Sequence, residues 1–294
     1  MPPATSSSVT ATDLGTGAVG IFGGSGLYSL LDEVEQIELR TPYGAPSGPI
    51  AVGFVPTANG GRRRVVFLPR HGVHHEWPPH RINYRANLWA FRELGVTRLL
   101  APFACGSLQP HVHPGDLVVC DQLVDRTSGR AGTFFDGPTV YYLSLADPYC
   151  PQLRQSVITT AAAAGELPVH EQGTVVVIDG PRFSTRAESA FYRGAGWDVI
   201  NMTHCPEIAL ARELGMCAVG LAIVTDYDTG VVDTDVPVSQ EAVFAAFEAN
   251  LLKLRRLLEQ VVKELPEERD CECAKATGGV VPDPPAASPP TATR

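Results

Sequence analysis

The sequence predicts an α/β fold: one domain with a central twisted, mixed β-sheet flanked by helices. Short runs rich in Val, Ile and Leu, bounded by Gly, Pro or Asp, alternate with segments of helical apolar spacing, the pattern of α/β architecture. No repeat or long linker interrupts residues 18–268, so a hydrophobic share of 44% can serve a single core. Residues 1–17, rich in Ser, Thr and Gly, are expected to form a disordered tail. So are residues 269–294, where Pro282, Pro284, Pro285, Pro289 and Pro290 stand among small residues.

Strands are expected at residues 18–22, 64–68, 98–102, 117–123, 173–178, 199–202 and 216–224, runs rich in Val, Ile and Leu and bounded by Gly, Pro or Asp. The segment 83–94 (NYRANLWAFREL) has helical spacing and ends at Gly95, a residue suited to a helix C-terminus. Helices are also expected at 151–164, 184–195, 205–214 and 239–264, the last with Ser239 as its cap.

Charge and cysteine content narrow the function. Twenty-three basic residues against 32 acidic ones leave a net charge of −9, and the only basic block is Arg62–Arg64, so nucleic acid is not the expected partner. No run of 18 apolar residues predicts a membrane span, and the N-terminus lacks the features of an export signal, which points to the cytoplasm. Seven cysteines without CxxC spacing imply neither a disulfide framework nor a zinc site. Cys271-Glu-Cys273 is either a redox pair or two tail thiols.

The residues with chemical potential follow the strands. Gly23-Gly24-Ser25-Gly26 after the first strand is either an anion-binding turn, with backbone N–H groups exposed, or a plain strand-to-helix turn. It is neither a Walker motif nor a dinucleotide fingerprint. Pro69-Arg70-His71-Gly72 ends the next strand, where a guanidinium fork and an imidazole suit an anion. His71 and His75 have the i, i+4 spacing of helical zinc ligands, but Gly72, Pro78 and Pro79 oppose a helix there. Phe103-Ala104-Cys105-Gly106-Ser107, Gly180-Pro181-Arg182-Phe183-Ser184 and Asn201-Met202-Thr203 lie at further strand ends, and Thr225-Asp226-Tyr227-Asp228 sets two carboxylates on one side of an extended chain. Those carboxylates are either a paired site or a cap plus a surface charge.

The ordered set GGSG, PRHG, NYRANLWA, ACGSL, DQLVDRT, GPRFSTRAE, NMT-x-x-PE and TDYD resembles the trimeric purine nucleoside phosphorylase superfamily over residues 18–264. FSTRAE together with TDYD is similar to its S-methyl-5'-thioadenosine phosphorylase branch. The resemblance implies a nucleoside phosphorylase-like fold, a homotrimer, and reversible phosphorolysis of methylthioadenosine to adenine and 5-methylthioribose 1-phosphate. It implies inorganic phosphate as co-substrate, with no metal or organic cofactor. Phosphate ligands map onto Ser25, Arg70, His71, the backbone N–H of Ala104, and Thr203. The sugar maps beside Met202, and the purine against Phe183, Ser184, Asp226 and Asp228. The 5' group maps near His75, Val243 and Phe244, with Tyr142 supplied by a neighbouring subunit.

Asp226 takes the general-acid role at N7, and a carboxylate there favours a 6-amino over a 6-oxo purine. Phe103 and His204 depart from the family pattern, which commonly has a threonine and a small or hydroxyl residue there. The alternatives are a purine nucleoside phosphorylase for adenosine, 6-oxopurine nucleosides or a 5'-halo-deoxyadenosine, a metal-dependent hydrolase built on His71, His74, His75 and Asp226, and a nucleoside-binding protein without turnover.

Overall fold

A computed structural model describes residues 17–23, 32–232 and 237–285. Ser25, the expected tail at 1–17 except Gly17, and residues 286–294 of the other tail lie outside the described residues. The strands are β1 (Ala18–Phe22), β2 (Asp32–Ile37), β3 (Ile50–Pro56), β4 (Arg62–Leu68), β5 (Val96–Ser107), β6 (Leu117–Val119), β7 (Gln122–Arg126), β8 (Val169–His170), β9 (Thr174–Ile178), β10 (Val199–Asn201) and β11 (Cys217–Tyr227). The helices are α1 (Tyr84–Glu93), α2 (Pro151–Ala164), α3 (Arg186–Gly194), α4 (His204–Glu213) and α5 (Gln240–Glu264).

One mixed sheet holds all eleven strands, in the order β2-β3-β4-β1-β5-β10-β9-β7, with β11 on β5 and β6, and β8 on β6. Its branch point is β5. One edge of β5 pairs in parallel with β1 as far as Leu100, then antiparallel with β10 at Gly106 and Ser107. Along the other edge β11 runs parallel from Arg98 to Ser107. On the first edge, between β1 and β10, no strand among the described residues pairs with β5, and the fork that opens there holds the candidate site.

Alternation along β1 divides the core between two faces. Ala18 and Phe22 pack with Leu88, Phe91, Ile208 and Ala211 on the side of α1 and α4. Val19 and Ile21 pack with Leu153, Val157, Leu254 and Val261 on the side of α2 and α5. Both faces are covered, which is why β1 reads as a continuous apolar run. Asn83 caps α1 by accepting the Ala86 N–H at 3.2 Å, and Thr185 with Glu188 forms a capping box on α3. That box starts α3 at Arg186 and leaves Ser184 in the preceding loop.

Several features differ from the expectation, and β3 (IAVGFVP) and the two-residue β8 were not among the expected strands. β2 (DEVEQI) carries three carboxylates on an outer strand, which hides it from an apolar-run criterion. The expected strand at 117–123 is two strands, because the chain breaks at Cys120 and Asp121 and passes from β11 to β9. The packed chain also continues beyond residue 268. Arg98 donates to the carbonyls of Pro266, Glu267 and Glu268, Arg269 to that of Gly215, and Cys273 is buried in a 3-10 turn over Glu272–Lys275. Composition suggested a tail there; Arg98 holds the chain just before it, and Arg269 pins its first residue to the Gly215 carbonyl.

Candidate active site

The ends of β1, β4, β5, β9, β10 and β11, together with the first half of α5, enclose a cleft of about 950 Å³. Among the expected residues, Arg70, His71, His75, Ala104, Phe183, Ser184, Met202, Thr203, Asp226, Asp228, Val243 and Phe244 line it. Tyr142 does not: it is 92% exposed on this chain.

Arg70 is buried where β4 ends. Its Nε and Nη2 donate to the two carboxylate oxygens of Glu207, Nη1 donates to the Pro102 carbonyl at 3.0 Å, and the guanidinium lies 4.6 Å over the Phe22 ring. A guanidinium has five N–H donors, so two remain for an anion. Glu207, on α4, is a functional partner to which the sequence reading gave no role, although it closes the NMT-x-x-PE motif.

The fork supplies further donors. The Pro102 carbonyl accepts from Arg70, and the Ala104 carbonyl accepts from Asn201 Nδ2 at 3.1 Å. In an extended strand the N–H and C=O of one residue point to the same side, so the Ala104 N–H also faces the fork. Asn201 Oδ1 accepts from the N–H groups of Thr203 and His204 at 2.7 and 2.8 Å. This fixes the entry of α4, and the Thr203 hydroxyl donates to the same Oδ1 at 3.4 Å, a long bond that a better acceptor on a ligand would replace.

His71 has a defined tautomer. The Trp77 carbonyl, 2.8 Å from Nδ1, can only accept, so Nδ1 carries the hydrogen. Burial in the cleft wall, together with the charges of Arg70 and His75, pushes its pKa down to about 4. At neutral pH its Nε2 therefore offers a lone pair, where the sequence suggested a donor. A P–OH group satisfies that lone pair. His75 stacks on His71 at 4.2 Å and meets the Phe244 ring edge-on at 5.2 Å. The two imidazoles are thus layered face to face. Among the described residues, His71, His74, His75 and Asp226 do not gather as metal ligands; the group that does is four cysteines outside the cleft.

The carboxylate pair is positioned by a β-bulge. Val224 pairs with Cys105 and Asp226 with Gly106, which leaves Thr225 as the extra residue. Burial, with Asp228 adding repulsion, raises the Asp226 pKa to about 6, although the Thr225 hydroxyl at 2.7 Å favours its charged form. Thr225 Oγ1 also lies 3.1 Å from the Cys105 carbonyl, so its hydrogen has a second acceptor when Asp226 is protonated. Burial raises the pKa of Asp228 too, against the pull of the Ser189 and Ser184 hydroxyls and the Thr229 N–H, and among the described residues its Oδ2 and Ser184 Oγ are buried with no well-formed hydrogen bond. Those two atoms are where a polar ligand edge would be bound.

Two glycines permit this geometry. A methyl group on Gly180, whose φ is +64°, would stand 2.5 Å from Met202 Sδ. One on Gly106 would stand 3.1 Å from both Asp226 Oδ2 and Ile200 Cγ2. Gly106→Ala is therefore expected to keep the fold and displace the carboxylate, lowering kcat/KM about tenfold or more. Unchanged steady-state kinetics in a folded variant would count against the placement of Asp226.

The two departures from the family pattern form one packed pair. The His204 ring is fully buried, 4.5 Å from the Phe103 ring and 5.6 Å from the Tyr149 ring, and neither of its nitrogens has a hydrogen-bond partner. Burial and the Arg70 charge hold it well below its usual pKa, hence neutral.

Comparisons with known proteins agree with this architecture. A family model described as the phosphorylase superfamily matches residues 18–264. The chain is 48% identical over 256 residues to S-methyl-5'-thioadenosine phosphorylase of Pyrococcus abyssi (strain GE5 / Orsay), covering 87% of this chain and 96% of the relative. It is 49% identical over 274 residues to purine nucleoside phosphorylase of Streptomyces coelicolor (strain ATCC BAA-471 / A3(2) / M145), covering 90% and 95%. Among solved structures, methylthioadenosine phosphorylase from Schistosoma mansoni in complex with adenine superposes with a TM-score of 0.78 at 39% identity, covering 83% of this chain and 90% of that one.

Proposed function

Because this chain belongs to the phosphorylase superfamily, we propose that it catalyses the reversible phosphorolysis of S-methyl-5'-thioadenosine to adenine and 5-methylthioribose 1-phosphate. The observation that carries this reading is Asp226, a carboxyl aimed into the cleft by a bulge and retaining its proton up to about pH 6.

Monohydrogen phosphate binds to the two free N–H donors of Arg70, the Thr203 hydroxyl and the Ala104 N–H, with its P–OH donated to His71 Nε2. A phosphate oxygen attacks the anomeric carbon as the bond to N9 breaks, and Asp226 delivers a proton to N7, so the purine leaves neutral. Phosphate loses one proton and the base gains one, so the reaction is proton-neutral overall. Fixed donors around the anion supply the electrostatic share of catalysis. Phe183 packs on the purine and Met202 beneath the sugar. Carboxylate oxygens accept from a 6-amino group and repel a 6-oxo group, which favours adenine. His75, Val243 and Phe244 offer the 5' substituent a largely apolar wall.

The Streptomyces coelicolor relative, named a purine nucleoside phosphorylase, supports a second reading with the same chemistry on adenosine, 6-oxopurine nucleosides or another 5'-modified deoxyadenosine. Base release from methylthioadenosine, adenosine and inosine separates the two. Adenine released fastest from methylthioadenosine, with negligible hypoxanthine from inosine, is the expected result; equal cleavage of inosine would overturn the role given to Asp226 in base selection.

The proposed assembly is a homotrimer. Val140, Tyr142 and Leu145 are exposed apolar side chains on one loop, as suits a segment that completes a neighbour's 5' pocket. Mass photometry is expected to give three chains per particle, and a fully active monomer would refute this. No cofactor takes part in the cleft chemistry, so turnover is expected in buffer without added metal or coenzyme. Among the described residues no helix is long and apolar enough to cross a membrane. We assign the enzyme to the cytoplasm, in keeping with its free thiols; recovery in the membrane or exported fraction of cells would contradict this.

A further inference from the structure

Outside the cleft, four cysteines far apart in sequence meet at one point. Cys150 caps α2, Cys217 opens β11, and Cys271 and Cys273 lie in the turn that follows α5. Their Sγ atoms all lie within 4.8 Å of one another, with 3.4 Å between those of Cys217 and Cys271. We propose that these four thiolates bind one zinc ion as a structural centre.

The geometry fits. Zinc–sulfur bonds of about 2.3 Å in a tetrahedron set the sulfurs about 3.8 Å apart. Two disulfides would require closeness only within each pair, whereas here every sulfur is near the other three. Cys150, Cys217 and Cys273 are buried and Cys271 is partly so, which describes a closed site with no open position for a substrate. The all-thiolate donor set selects a soft tetrahedral ion over calcium or magnesium. The surroundings suit the dianionic centre that Zn(Cys)4 makes. The Leu153 N–H donates to Cys150 Sγ at 3.4 Å, Arg98 lies near enough for its charge to act on Cys150 and Cys217, and Arg212 acts likewise on Cys273. Arg212 Nε is itself buried with no hydrogen-bond partner. Hydrogen bonds and cations around metal-bound sulfur are the usual support of such sites.

The centre would clamp the chain that follows α5 onto α2 and β11, and it stands independently of the reaction in the cleft. CxC spacing alone gave no zinc signature; the fold supplies the other two ligands.

Native mass spectrometry and elemental analysis of the full chain, purified without added metal or chelator, test the proposal. The expected result is one zinc per chain in the native mass, lost on denaturation with chelator, which leaves seven titratable thiols in the metal-free chain. Cys150→Ser and Cys273→Ser are expected to lose the zinc and melt at lower temperature, while Cys120→Ser, outside the cluster, retains it. Protein that is metal-free as purified, iron in place of zinc, or a mass short by the hydrogens of one or two disulfides would each overturn the proposal, and none of these depends on a variant folding.

Discussion

Asp226→Asn is expected to lower kcat/KM for methylthioadenosine by about 10²- to 10⁴-fold, the range for removal of a general acid. The amide keeps the shape of the carboxyl and its neighbour Thr225 but has no proton to give N7. The wild-type rate should also fall as pH rises through about 6, where the free enzyme's Asp226 loses its proton. The same variant should be more thermostable. A carboxyl with a folded pKa of about 6 and an ordinary value of 3.8 stabilises the fold fully only below 3.8 and loses that contribution as pH rises through 6. Asn is free of this penalty, of order 3 kcal/mol for two pKa units. The Tm advantage should thus grow between about pH 4 and 6 and then level off. A variant as active as wild type, or one less stable at pH 8, contradicts the role and environment assigned to Asp226.

Arg70→Ala is expected to abolish phosphate saturation and also to destabilise the fold by about 3–5 kcal/mol, the cost of leaving a buried ion-pair partner alone. Glu207 has no exposed surface, and burial already raises its pKa against the opposing pull of Arg70. With Arg70 gone the pKa rises further, so the loss of stability should be largest at high pH and shrink once the carboxyl is protonated. Arg70→Ala combined with Glu207→Gln separates the two effects. The pair should recover much of the Tm while phosphate still fails to saturate. An Arg70→Ala enzyme with wild-type KM for phosphate would remove Arg70 from the anion site.

Much of this was legible in the residues because strand ends carry chemistry in α/β sheets. Asp226, Arg70 and Thr203 each follow a Val/Ile/Leu run, and the apolar pattern alone brings them to one edge of the sheet. What stayed hidden depends on contacts between distant segments. Glu207 meets Arg70 across 137 positions, and no local pattern marks it as the partner. The fork in β5 follows from which strand takes each part of its edge, a matter of register that apolar runs do not encode. β2 escaped because its side chains are polar, and the turn at Cys271 read as a tail because its anchors, Arg98 and Arg269 among them, lie in other elements or donate to other elements. Tyr142 differs in kind. Its expected role needs a second chain, and on this one it faces solvent.

The most direct test of phosphorolysis is the fate of the phosphate. Purified enzyme with methylthioadenosine and inorganic phosphate, followed by phosphorus NMR, should convert the inorganic phosphate signal into that of a sugar 1-phosphate, one for each adenine released, with no adenine formed when phosphate is omitted. Adenine appearing alongside free methylthioribose, with the phosphate signal unchanged, would show hydrolysis instead and contradict the anion site built around Arg70.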